Sequence, residues 1–216
     1  MFKCLAEANQ IYITGDSFCA DRDLGFNDWP ALLAKNLNLE LTGQAFPGCG
    51  WWPTRQPLIE HVKKYSEFVK LYVICHTDCH RPLSTHQILY RRDDSEMQQS
   101  WKTYYKHFQD NIIDYWVLNK WYKEINEILF EKDVIHLQCF MTTNVEFSNL
   151  RGCKIATSLS ERSMMYGSAD INFQQDPRRN HFSTDENIWL ANQILDRYTN
   201  WVNDGRPDKI YQLDQR

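Results

Sequence analysis

Two side chains in this sequence have the types needed to make an activated nucleophile: Ser17 and His181. Ser17 stands in Ile11-Tyr12-Ile13-Thr14-Gly15-Asp16-Ser17-Phe18, where an apolar, β-branched run leads straight into Gly-Asp-Ser. A hydroxyl there leaves the carboxyl end of a strand, the place where open α/β sheets bind their ligands. His181 stands in Asn180-His181-Phe182-Ser183, a polar stretch directly before an amphipathic helix. A serine hydroxyl becomes a useful nucleophile only when a base takes its proton, so the chemistry needs both groups at one mouth of the fold. The nucleophile also needs a backbone N–H aimed at the developing oxyanion, and Gly15 permits the tight backbone this requires. The plain alternatives are a turn in which Asp16 and Ser17 cap local amides, and a histidine that merely ends a loop.

A second group, Cys75-His76-Thr77-Asp78-Cys79-His80, packs two thiols, two imidazoles and a carboxylate into six residues. A metal site is the chemical alternative there. Cys75 and His76 end a strand on opposite faces, however, and no second Cys/His pair at finger-like spacing follows. Strand-end chemistry without a metal is the expectation. Trp51-Trp52-Pro53 breaks any period, and Trp51 or Trp52 is expected to form part of a substrate wall.

Strands are predicted at Ile11–Thr14, Leu39–Phe46, Val69–His76 and Val134–Phe140, each short and rich in β-branched or aromatic residues. Helices are predicted between them. Asn27 or Asp28 caps the first, with Trp29-Pro30 in its opening turn. The second covers Gln56 to Tyr65. From about Ser95 to Phe130, spacings of three and four predict an apolar stripe through Trp101, Tyr104, Tyr105, Phe108, Ile112, Tyr115, Trp116, Leu118, Trp121, Ile125 and Leu129. That stripe reads as core in preference to a groove for a sugar or acyl chain. The last helix starts after Ser183, with Thr184 as cap and Ile188, Trp189, Ala191, Ile194, Leu195, Tyr198 and Val202 buried. Thr142 to Pro177 reads as loop with a short helix from Ser158. Alternating strands and helices imply one α/β domain over residues 1–216, with a mainly parallel sheet covered on both faces.

The chain has 216 residues, 43% hydrophobic and 14% aromatic, enough for one substantial core, with a net charge of -4. No dense basic block is present, so nucleic acid is not an expected partner. No segment has the apolar length of a membrane span. The seven cysteines are odd in number and irregular in spacing, which fits reduced thiols in a cytoplasmic compartment. The opening Met1-Phe2-Lys3-Cys4-Leu5-Ala6-Glu7 lacks the apolar core of a secretion signal.

Taken together, Gly15-Asp16-Ser17-Phe18 near the start, a glycine after the second strand and a histidine before the final helix resemble the GDSL, or SGNH, hydrolase family. The resemblance covers nearly the whole chain in block order. It implies a flavodoxin-like three-layer α/β/α fold and hydrolysis of esters through an acyl-serine, with no cofactor. Ser17 matches the family's nucleophile, His181 its base, and Gly48 the second-block glycine whose N–H helps bind the oxyanion. The tail around Asn180-His181-Phe182-Ser183 also resembles SGNH-like proteins encoded by bacterial viruses, which implies the host cytoplasm or a virion as location.

Two positions depart from the pattern. The family's third block supplies an asparagine amide to the oxyanion, whereas Asp78 stands here. An ionised carboxylate cannot donate a hydrogen bond. Thr77 replaces that donor, or Asp78 turns away to pair with Arg81, or the hole is defective. The family's acid stands three residues before the histidine, where this chain has Arg178, so Asp176 is the expected orienting carboxylate. The expected activity is that of an esterase or carbohydrate deacetylase on a small-molecule or carbohydrate ester. The alternative is a catalytically impaired protein of the same fold that binds a glycan or a protein partner. The oligomeric state is not legible.

Overall fold

The protein's structure, a computed structural model, describes residues 8–19, 28–43, 45–46, 50–77, 99, 103, 111–139, 147–166 and 182–214. Its strands are β1 (Gln10–Thr14), β2 (Glu40–Thr42), β3 (Val69–His76), β4 (Val134–Gln138), β5 (Cys153–Ser158) and β6 (Ile210–Tyr211). Its helices are α1 (Trp29–Asn36), α2 (Trp52–Tyr65), α3 (Asn111–Ile128), α4 (Leu159–Tyr166) and α5 (Thr184–Asn203). The strands form one sheet in the order β2-β1-β3-β4-β5-β6, and every pairing is parallel. This is a flavodoxin-like order, in which connections run outward in both directions from β1 and β3.

Alternation along the strands builds two cores. Ile11 and Ile13 of β1, with Leu71, Val73 and Cys75 of β3, face Trp29 and Leu33 of α1 and Leu190, Ala191 and Ile194 of α5. Tyr12, Tyr72 and Ile74 face the other way, onto Leu58 of α2 and Leu118, Trp121, Tyr122 and Ile125 of α3. The result is the expected three-layer α/β/α sandwich, with both faces of a parallel sheet covered.

Local chemistry explains the boundaries. Asp28 caps α1, its Oδ1 accepting from Ala31 N at 3.3 Å, and Pro30 sits in the first turn, where its missing N–H costs nothing. Ser183, one residue before the expected cap, closes α5 by accepting from Glu186 N at 3.2 Å. β2 ends at Thr42, well short of Phe46. Gly43 has φ +105°, and a Cβ there would lie 2.1 Å from Ile13 O. The chain therefore leaves the ladder and rejoins at a single bridge, Gly15 with Ala45. α2 starts at Trp52, earlier than expected, because Pro53 opens the helix as Pro30 does in α1.

Three expectations are corrected. β5 lies inside the stretch read as loop. Its second residue, Lys154, is only 1% exposed, because Nζ donates to Ser148 O at 2.9 Å and pairs with Asp208. On α3, Ile112 and Trp116 are solvent-facing, at 79% and 60% exposure. Trp116 precedes Ile125 by nine residues, which is about half a turn out of phase with the buried stripe. On α5, Ile188 is exposed, while Asn187 and Trp201 are buried. Among the described residues, no helix is long and apolar enough to cross a membrane.

Candidate active site

In this strand order the connections diverge between β1 and β3, and the carboxyl ends of those two strands frame a crevice. Ser17 follows β1 and Thr77 follows β3, so both expected residues stand at that point.

The backbone beyond β1 is set by Gly15 and Asp16. Gly15 has φ +151°, and a Cβ there would come within 2.5 Å of both Cβ and the carbonyl oxygen of Cys75. No side chain fits between these strand ends. Gly15→Ala is expected to cost about 3 kcal/mol, combining overpacking with an unfavourable φ. Urea denaturation checks this, and an unchanged midpoint would mean that β1 and β3 stand further apart.

Asp16 is 1% exposed and grips the turn through both oxygens. Oδ1 accepts from Phe18 N at 3.0 Å and Oδ2 from Thr77 Oγ1 at 3.3 Å, while its carbonyl accepts from Cys19 N at 3.2 Å. Residues Ser17–Cys19 thus form a single 3-10 turn, with Ser17 at its head and 5% exposed. Asp16 thus caps a local amide, as the plain alternative for this turn expects. Thr77 has one hydroxyl hydrogen, and here it points at Asp16.

The serine turn is tied to the segment that carries the expected base. The Phe18 and Phe182 rings lie 5.9 Å apart at 56°. Phe18 adjoins Ser17 in sequence, and Phe182 adjoins His181. Asn187, buried in α5, donates to Phe182 O at 3.3 Å and Ser183 O at 3.0 Å, while its Oδ1 accepts from Trp29 N at 2.9 Å. Trp29 Nε1 in turn donates to Phe18 O at 2.7 Å. A buried ion pair, Arg162 Nε to Glu186 Oε1 at 2.5 Å, fixes the first turn of α5 against α4, with the guanidinium stacked over Trp189. His181, Asp176, Gly48 and Asp78 lie outside the described residues.

Trp51 and Trp52 separate in role. Trp51 is 8% exposed and stacks on Trp121 with centroids 5.6 Å apart, which makes it part of the α2/α3 core. Trp52 packs edge-on against Trp51 and is 40% exposed, with the Arg55 guanidinium over its ring.

Two clusters near the crevice were not legible in the sequence. Below Gly15 the thiol of Cys75 contacts those of Cys19 and Cys139, and Cys139 also meets the Asp16 carboxylate. Burial pushes the Cys75 and Cys139 thiols well up, so neither supplies a thiolate nucleophile near neutral pH. Among the described residues, no group of His, Cys, Asp or Glu could hold a metal ion.

The other cluster is a buried histidine pair one residue from Thr77. His76 Nε2 lies 2.9 Å from His136 Nδ1, and His136 Nε2 lies 2.8 Å from Arg151 O. A carbonyl only accepts, so Nε2 of His136 carries its proton and Nδ1 is bare. His76 must then donate from Nε2. Burial lowers both imidazoles, His136 to about 3, so the pair is neutral at neutral pH. The register could have revealed the pair, since Ile74 faces His136 across β3 and β4 and His76 sits two residues further on.

No family model matches this chain, and no curated protein or solved structure is detectably similar to it.

Proposed function

We propose that this protein is a serine ester hydrolase of the SGNH type, an esterase or carbohydrate deacetylase that works through an acyl-serine. One observation carries the reading. The turn bearing Ser17 sits at the β1/β3 switch point and is joined to the segment after His181 by the Phe18–Phe182 contact and the Asn187 bridge. Phe18 and Phe182, far apart in sequence, thereby meet, and a nucleophile at position 17 with its base at position 181 would require that meeting.

In this mechanism Ser17 Oγ attacks the ester carbonyl carbon while His181 takes the hydroxyl proton. Asp176 orients the imidazole. The backbone N–H groups of Ser17 and Gly48 stabilise the oxyanion. The tetrahedral intermediate collapses, the alcohol leaves with the proton from His181, and Ser17 holds the acyl group. Water, deprotonated by His181, then releases the acid and restores the serine. Asp16 acts as a brace that holds the turn. Because the Thr77 hydroxyl is engaged with Asp16, the third oxyanion donor comes from elsewhere or is lacking.

That engagement, with a carboxylate at position 78, favours a second reading: a non-enzymatic binder of glycan or protein on the same scaffold. Incubation with 4-nitrophenyl esters and an O-acetylated sugar separates the two. Turnover above the buffer rate is the expected result. Folded protein that releases no acid or phenol, yet binds a glycan saturably, would favour the binder.

A further inference from the structure

Every strand of the sheet runs the same way, so the amino ends of β4 and β5 lie at the mouth away from Ser17. A cavity of about 480 Å³ opens there, between the end of α3 and the turn after α5. Its volume falls in the range of small-molecule sites, about 300–1,000 Å³. Ile125, Leu129, Phe130 and Val134 supply an apolar lining, with Trp201 and His136 behind them in the wall. The Phe130 ring is 58% exposed, a large apolar surface left to solvent. It also lines a more open recess alongside, together with Asn126 and Arg151.

Charge on this wall is uneven. Asp133 is fully engaged: Arg206 donates to its two oxygens at 2.7 and 2.9 Å, and Tyr198 Oη donates at 3.0 Å. Lys132 Nζ donates to Ser66 O at 2.9 Å. Arg151 differs. Among the described residues no carboxylate lies within ion-pair distance of it, and its guanidinium stands over the Phe130 ring at 5.4 Å. Its backbone is pinned on both sides, N donating to Asn126 Oδ1 at 2.8 Å and O accepting from His136 Nε2 at 2.8 Å. With Lys132, Arg151 and Arg206 set against Glu131 and Asp133, the lining carries one net positive charge.

We propose that this cleft binds a small aromatic monocarboxylate, its ring against Leu129, Phe130 and Val134 and its carboxylate on the Arg151 guanidinium. The site is separate from the Ser17 crevice and does not depend on the hydrolase reading. An exposed ring beside a fork-shaped cation matches a flat apolar body that ends in a planar anion, because guanidinium and carboxylate pair through two parallel hydrogen bonds. A single net charge suits a monoanion. A phosphate dianion would bring a second negative charge toward Glu131 and Asp133. The pinned backbone of Arg151 lowers the ordering cost of binding.

The test titrates 2-naphthoate into the intact chain and follows methyl NMR signals. Saturable shifts of Ile125, Leu129 and Val134 are expected. The neutral 2-naphthylmethanol should bind at least about tenfold more weakly, the worth of a hydrogen-bonded charge. 2-Naphthyl phosphate should bind no tighter than the carboxylate. Arg151→Gln should weaken naphthoate by about tenfold and leave naphthylmethanol unchanged. Ser17→Ala should bind naphthoate as the wild type does. Unmoved methyls at millimolar naphthoate would overturn the site. So would shifts confined to Ala45 and Thr77 beside the serine turn, or equal affinities for the acid and the alcohol. Tighter binding of the phosphate would overturn the carboxylate as occupant. The comparison of acid with alcohol is made in the wild type, so it stands whether or not Arg151→Gln folds.

Discussion

Ser17→Ala is expected to lower kcat/KM for an activated ester by about a thousandfold or more while leaving the unfolding midpoint within a degree or two of the wild type. The magnitude follows from what the hydroxyl does. Without it no acyl-enzyme forms, and only the oxyanion donors and substrate binding remain to assist direct attack by water. The small stability effect follows from the turn. Asp16 grips it, through Phe18 N and Thr77 Oγ1. Steady-state hydrolysis and a thermal melt read both halves. Equal rates in variant and wild type would remove Ser17 from the chemistry, whereas a collapse of the melt would mean that its hydroxyl is structural.

The second large effect is on stability in mild acid. His76 and His136 are buried and neutral in the fold, and burial holds both below the ordinary histidine value of 6.5. As pH falls below that value, the unfolded chain takes up protons at both rings and the folded chain does not. Stability is therefore fully present above about 6.5, and the loss grows as pH falls toward about 3, where His136 itself protonates. Each ring costs about 1.4 kcal/mol per pH unit inside that window, so the pair removes about 4 kcal/mol between pH 7 and pH 5. Urea denaturation at the two pH values measures the loss, and a double variant, His76→Leu with His136→Met, should flatten its slope. Ring nitrogen NMR supplies an independent check. Both histidines should keep the Nε2–H tautomer and show no titration from pH 8 to pH 5. A ring titrating near 6.5 would mean that the pair is open to water.

The parts legible in the sequence share one physical character: their signal is local. β3 has the bounds read for it because, past the exposed Lys70, an unbroken run from Leu71 to His76 is buried on both faces. α1 follows from Asp28 and Pro30, whose cap and first-turn roles need no tertiary information. The place of Ser17 at the end of the first strand is legible for the same reason. What stayed hidden depends on distant partners. β5 carries a lysine as its second residue, and Ser148 O and Asp208, brought in by the fold, make its burial tolerable. β6 is two residues long and exists only by pairing with Lys154 and Ile155. Trp51 looked like a wall residue because it breaks the local period, but its stacking partner, Trp121, lies on another helix. Asn187 reads as one more polar residue on an amphipathic helix. In the fold it satisfies Trp29 N, an amide at the start of α1 with no partner inside that helix. The His76–His136 pair and the three contacting thiols depend likewise on register between strands.

The most direct test of the account is labelling with a fluorophosphonate, which reacts only with a serine activated by a base and an oxyanion hole. The account predicts one phosphonyl group per chain, mapped by tandem mass spectrometry to the peptide bearing Ser17 and absent from Ser17→Ala. A folded sample that stays unlabelled under conditions that saturate a control serine esterase, or that carries its label on another residue, would contradict it.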